Sequence, residues 1–152
     1  MKVSVEDIKK LREKTGAGIA DSRKALEEAG GNFANAEELV KSWGIAKASS
    51  KKDRVVGAGL VETYIHGAGK VGAMVEVNCE TDFVAKTDEF KNLAHELAMQ
   101  VSAMDPKDVK NLEQQEYIRD SSKKIEELVK ETIAKVGENI VVKRFIRFEL
   151  GS

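Results

Sequence analysis

The apolar positions along this chain change period once, near residue 54, and that change divides it in two. Before the change they recur three and four apart. Val5, Ile8 and Leu11 predict a helix opened by Ser4, with Asp7 at the capping-box offset, and ending near Lys14. Thr15-Gly16-Ala17-Gly18 supplies a turn, and Ile19, Ser22, Ala25, Leu26 and Ala29 line a second helix until Gly30-Gly31 stops it. Asn32 caps a third, with Phe33, Ala36, Leu39, Val40 and Trp43 on one face and Gly44 expected to close it. Three helices within residues 1–45 make a miniature bundle only a few side chains deep, a unit of marginal stability by itself.

Residues 46–54 show no apolar periodicity and carry four basic residues against one acidic. They read as a basic linker with loose helix at most at its start. From residue 55 the period becomes 2. Residues 60–66 and 70–78 are extended runs, the second alternating Val71, Ala73, Val75 and Val77 on one face, with Gly67-Ala68-Gly69 as the hairpin turn. A helix then starts at Asp88, with Phe90, Leu93, Ala94, Leu97, Val101 and Met104 on one face, and breaks at Asp105-Pro106, where another turn can start. Ile118, Ser121, Ile125, Leu128, Val129, Ile133 and Val136 predict one further long helix closed by Gly137, and residues 140–150 a third strand. The fold class is therefore α+β: a three-helix bundle (1–45), a basic linker (46–54), and a core domain (55–152) whose small three-stranded antiparallel sheet is covered by helices on one face.

Composition narrows the function. The 152 residues are 41% hydrophobic and 34% charged with a net charge of -1, a globular and helix-rich balance that argues against a dedicated nucleic-acid binder. The charge is uneven: residues 1–54 carry 12 Lys/Arg against 9 Asp/Glu, and residues 55–152 carry 13 against 17. No run of 18 apolar residues predicts a membrane span, and the amphipathic start from Met1 to Leu11 has no signal-peptide core, so a cytoplasmic location is expected. Cys79 is the single cysteine, which rules out an internal disulfide and a thiol-rich zinc site; with only His66 and His95 besides, no metal site is expected.

Three strings invite a chemical reading. Gly67-Ala68-Gly69-Lys70-Val71-Gly72 has dinucleotide-fingerprint spacing, but a strand follows where a helix is needed, and a hairpin turn accounts for the glycines. Cys79 with His66 or His95 would make a thiol nucleophile only if the fold brought them together. The Lys47 and Arg54 segment offers phosphate contacts without aromatic interleaving, so nucleic-acid binding is the weaker alternative to a solvated linker.

The most informative stretch is Val75-Glu76-Val77-Asn78-Cys79-Glu80-Thr81-Asp82-Phe83-Val84-Ala85, an alternating strand that runs into a charged, aromatic turn. Pattern alone leaves two readings of Phe83: tucked under the sheet with Val84, or projecting beside Asp82 toward a partner.

That stretch is also one of three that resemble a known family. Glu76-Val77-Asn78-Cys79-Glu80-Thr81-Asp82-Phe83-Val84-Ala85 is similar to the core signature of translation elongation factor Ts. Leu11-Arg12-Glu13-Lys14-Thr15-Gly16-Ala17-Gly18-Ile19-Ala20-Asp21-Ser22-Arg23-Lys24-Ala25-Leu26 resembles its amino-terminal module, and Gly137-Glu138-Asn139-Ile140 with the following strand resembles a later signature. Ser22 stands where many members have cysteine, a small-for-small change of little expected effect. The short region between Met104 and Ile125 and the single strand module resemble the short forms of the factor. The resemblance implies a guanine-nucleotide exchange factor for elongation factor Tu, without catalytic groups or cofactor of its own. It implies an amino-terminal module similar to a ubiquitin-associated domain, docking on the GTPase through Lys9 and Arg12, with Ile19 and Ala20 as an apolar contact. It further implies that Thr81, Asp82, Phe83 and Val84 wedge beside the nucleotide and dislodge its magnesium ion. No nucleic-acid or membrane partner is implied. Since a short form has one sheet module where long forms have two, a homodimer through the sheet could form.

Overall fold

The structure, a computed structural model, describes residues 2–152; Met1, the start of the amphipathic opening segment, lies outside the described residues. Helix α1 (Val5–Thr15) is opened by Ser4, whose hydroxyl accepts the Asp7 N–H at 3.0 Å and donates to the Asp7 carboxylate at 2.6 Å. Gly16, at φ 72°, ends it in the left-handed conformation that glycine adopts without a Cβ penalty. Helices α2 (Ile19–Glu28) and α3 (Phe33–Ser49) complete the bundle around Leu11, Ala25, Leu26, Ala36 and Val40. Ile19, expected on the inner face, is exposed.

Two expectations are corrected. Gly44 does not close the third helix: α3 continues to Ser49, so the first residues of the basic segment 46–54 are helical. Gly44 instead permits close approach, because a Cβ there would stand 3.1 Å from the Ala134 methyl. Four residues on, Ala48 is buried in the second core, so one helix is shared between both.

Strands β1 (Ala58–His66) and β2 (Val71–Cys79) form the expected hairpin, its turn supplied by positive φ at Gly67, Ala68 and Gly69. Next come the single turn α4 (Asp82–Ala85) and the long α5 (Asp88–Met104), capped by the Thr87 hydroxyl. Phe90, Leu93, Leu97 and Val101 of α5 are buried with Ala73, Val75 and Val77 of β2; Met104, expected on that face, is exposed. Each fully buried side chain of this size contributes about 1.5–3 kcal/mol of hydrophobic stabilisation.

The second correction falls between residues 105 and 125. A single long helix was expected to start near Ile118. Instead α6 (Val109–Gln114) is followed by a small hairpin, β3 (Glu116–Tyr117) and β4 (Asp120–Lys124), and only then by α7 (Ile125–Val136). Ile118 and Ser121 keep helical spacing with α7 but are exposed in that hairpin. The cause is Gln100, buried on α5, whose amide donates to the Glu116 carbonyl at 3.0 Å and accepts the Ile118 N–H at 3.0 Å. A buried amide leaves few other solutions, because unpaired it would lose the hydrogen bonds it makes in water.

Strand β5 (Ile140–Glu149) closes the sheet in the order β1-β2-β5, antiparallel throughout, with a bulge opposite Glu76 and Val77. Helices cover one face. On the other, Val61, Ile65, Met74, Ile146 and Phe148 are exposed, followed by Leu150.

Ser22 gains weight in this setting. It is fully buried in the bundle and its hydroxyl has no hydrogen-bond partner. A buried unpaired hydroxyl is destabilising, whereas a thiol of similar size tolerates an apolar site. Ser22→Cys is expected to stabilise the protein by about 1 kcal/mol, read as a higher urea midpoint under reducing conditions; an unchanged or lower midpoint would contradict this account.

Candidate functional site

The strand–turn junction predicted from sequence is a tightly bonded corner. Val75, Val77 and Cys79 face the core, so β2 reaches its last residue with its inner face buried. Thr81 then leaves the strand in extended conformation (φ -133°, ψ 156°) and caps α4, its hydroxyl accepting the Val84 N–H at 3.3 Å. The same hydroxyl donates to Glu138 Oε2 at 2.8 Å, and the Thr81 N–H donates to Glu138 Oε1 at 3.0 Å. One carboxylate thus holds both polar groups that begin the turn.

The turn splits its two apolar residues. Val84 is only 9% exposed and joins the main core, while Phe83 is 86% exposed. Successive residues of a helical turn point about 100° apart, so anchoring Val84 inward turns Phe83 outward. The reading that both tuck under the sheet is therefore right for Val84 and wrong for Phe83. Asp82 is exposed beside it.

The amino-terminal candidates lie elsewhere. Lys9 and Arg12 are exposed on α1, and Ile19 and Ala20 open α2, both exposed, with the Gly16–Gly18 turn between the two pairs. These four belong to the bundle and the Thr81–Val84 turn to the core domain, so the structure places the candidates in two groups on two hydrophobic clusters.

The rival chemistries lose their geometry. Cys79 pairs with Ala58 at one end of the β1–β2 ladder and His66 with Val71 at the other, a separation of roughly 25 Å along the strands. His95 packs edge-on against Tyr64, whose hydroxyl lies 3.1 Å from His66 Nδ1, and so belongs to the far end as well. Burial, followed by the nearby charge of Glu138, holds the Cys79 thiol above its ordinary pKa, and its Sγ donates to the Thr81 carbonyl at 3.2 Å. Among the described residues no group of three or more His, Cys, Asp or Glu is arranged to hold a metal ion, and no helix is long and apolar enough to cross a membrane. In the basic segment, Lys47 bonds Asp21 at 2.6 Å and Arg54 lies 3.6 Å from Glu80.

Sequence reasoning assigned no role to Glu80, Glu138 or Asn139. Asn139, nearly buried, donates its backbone N–H to Glu80 Oε2 at 2.9 Å and its side-chain amide to the carbonyls of Lys52 (3.3 Å) and Arg54 (2.9 Å). Their sequence signals were the helix-ending Gly137 before Glu138-Asn139 and their place in two stretches that resemble family signatures, and neither carried a hint of partners 57 to 87 residues away.

A three-helix bundle sharing its last helix with an α+β core, from which an anchored turn presents an aromatic ring, defines the class by its architecture. Comparison with known proteins gives the same class a family. The sequence model described as Elongation factor TS matches residues 80–152. Proteins named Elongation factor Ts from Thermoanaerobacter sp. (strain X514) and Coprothermobacter proteolyticus are each 41% identical, over 194 and 196 aligned positions that cover 98% and 99% of this chain and 95% and 100% of theirs. The one from Thermotoga petrophila is also 41% identical, over 99% of this chain and 98% of its own. The chain belongs to the elongation factor Ts family, a family of translation factors. Since these alignments are longer than the 152 residues present here, part of each relative falls opposite gaps in this chain.

The buried, protonated thiol gives a direct check on the corner. Cys79 is expected to react with iodoacetamide at pH 8 at least about a hundredfold more slowly in the native protein than in denaturant, because thiolate and access are both suppressed. Comparable rates would mean that the corner opens readily.

Proposed function

We propose that this chain promotes release of GDP from elongation factor Tu, acting as an exchange factor in the cytoplasm and supplying no catalytic group or cofactor. In this reading residues 1–45 dock on the GTPase, with Lys9 and Arg12 meeting acidic or polar groups and Ile19 and Ala20 an apolar patch. Residues 46–54 connect, and the core domain (55–152) presents the turn. Thr81, Asp82, Phe83 and Val84 wedge beside the nucleotide and displace the magnesium ion that bridges GTPase and phosphates. Loss of the ion's charge weakens nucleotide binding. Neither nucleic acid nor membrane takes part.

The observation that carries the reading is the contrast within one turn: a phenylalanine almost wholly in water, one residue from a buried valine, on a backbone held by a carboxylate. Leaving that ring exposed forgoes roughly 1.5–3 kcal/mol of burial, which a partner can recover. Such a gain corresponds to about one to two decades in an equilibrium constant, so the remaining effect on GDP must come from the rest of the interface. Coupling is reciprocal: GDP weakens the factor's affinity by the same ratio, so nucleotide can expel the exchanger.

The deciding experiment is release of a fluorescent GDP analogue from elongation factor Tu over a range of magnesium concentrations. The chain is expected to accelerate release, with a smaller gain once magnesium is chelated; Phe83→Ala should lose about tenfold or more of the acceleration while melting at the wild-type temperature. No acceleration at any magnesium level would refute the exchange function.

The same reading extends to a homodimer through the open sheet face. Ile65, Met74, Ile146, Phe148 and Leu150 form an apolar area at the hairpin end of the sheet, and exposed Val61 lies in the next row beside the Arg144–Glu76 pair (2.8 Å). A second copy is the occupant this face suits, since two such faces related by a twofold axis bury apolar against apolar and complete a sheet-on-sheet sandwich. Sedimentation at micromolar concentration should give a dimer, and Phe148→Glu, at an exposed position, a folded monomer. A monomeric wild-type chain would remove the dimer and leave the exchange reading intact.

A further inference from the structure

Phe83 is presented by a turn that cannot hold itself. Helix α4 has four residues, too few for helical stability of its own, and the Phe83 ring, being exposed, contributes no packing that would fix its direction. Burial of Val84 and Ala85 settles that the ring faces outward; the polar bonds that fix where the turn starts, and so the angle at which the ring stands, converge on the two residues after Gly137. Gly137, at φ 77°, ends α7 with its N–H on the Ile133 carbonyl at 2.8 Å and directs the chain toward the end of β2. Glu138 then grips the Thr81 N–H and hydroxyl, and Asn139 grips Glu80 and the carbonyls of Lys52 and Arg54. Arg54, 3.6 Å from Glu80, closes the ring of contacts.

We propose that Glu138 and Asn139 are positioning residues for nucleotide exchange: Glu138 fixes the direction in which Phe83 is presented, and Asn139 fixes the point at which the segment from the amino-terminal module joins the core. This rests on the exchange function proposed above. The two residues are adjacent but act on different quantities. A turn ordered before contact need not be ordered during the wedging step, so Glu138 governs how fast GDP leaves once the complex has formed. Helix α3 sets the docking module against α7, and the Asn139 bonds to Lys52 and Arg54 pin the continuation of that helix where it enters the core. The two fixed points together hold the module at a set distance from the turn and so set the effective concentration of one binding element once the other is engaged. Asn139 therefore governs how much factor is needed.

The test is the GDP-release assay run as a titration of the full chain, giving a saturating rate and a half-saturating concentration. Glu138→Ala is expected to lower the saturating rate roughly tenfold or more, since even one hydrogen bond to a charged group is worth about a decade, while shifting half-saturation little. Asn139→Ala is expected to raise half-saturation roughly tenfold at an unchanged saturating rate. Since Glu138→Ala could unfold the corner, Glu138→Gln supplies a second measurement. It keeps the volume and one acceptor oxygen for the Thr81 N–H but gives up the charge and the second acceptor of the carboxylate, so its saturating rate should fall between those of Glu138→Ala and wild type. A merely structural role would lower melting temperatures and leave the saturating rate of the folded protein untouched. A wild-type saturating rate for folded Glu138→Ala, or for Glu138→Gln where the alanine variant does not fold, would overturn the role of Glu138, and wild-type half-saturation for Asn139→Ala would overturn that of Asn139. Failure of the wild-type chain itself to accelerate release would instead overturn the exchange function.

Discussion

Burial of one face of β2 beneath α5 is the constraint from which the rest of the molecule follows. β2 is the middle strand, so the register that sends Ala73, Val75, Val77 and Cys79 inward also fixes β1 on one side and β5 on the other. A slip of one residue would turn all four outward and place Met74, Glu76 and Asn78 under α5. The position of Cys79, and with it the place where the chain leaves the sheet, is thus set by apolar contacts spread along the strand. Thr81 follows two residues later, already within reach of Glu138.

Rigidity and exposure are balanced at that exit. The corner uses charge-assisted hydrogen bonds where the core uses apolar contact, which suits its place at the end of the central strand: polar groups there can be satisfied without burying a charge deeply. The outcome is a backbone fixed on the inside and a side chain left bare on the outside. The sheet shows the same division on a larger scale, with one face sealed by helices and the other exposing Ile65, Ile146 and Phe148.

Much of this was legible in the chain, and the exceptions have physical reasons. The strands, the Asp88–Met104 helix and the three-helix bundle were readable because each carries its own periodicity between its own stop signals. Gly44 was misread because glycine marks both helix ends and close helix contacts, and only the presence of Ala134 across the interface separates the two. The β3–β4 hairpin was missed because Ile118 and Ser121 fall in helical phase with the residues that follow, while the group that decides their conformation, Gln100, lies on another helix. At the site, the strand and its turn were plain, yet periodicity leaves the direction of Phe83 open, since a four-residue turn is too short to show a face. The grip of Glu138 on Thr81 crosses 57 residues and leaves no trace in either local pattern.

Helix α3 has a consequence of a different kind. It begins among Ala36 and Val40 in the bundle and ends with Ala48 in the main core, and between them Gly44 lets α7 lie almost against its backbone. Its 17 residues make a rod about 25 Å long, clamped at both ends in different hydrophobic interiors. A rod so clamped leaves no hinge between the two interiors: a tilt of the bundle would load the contact with Ala134, three residues before Gly137, and through it the base of the aromatic turn.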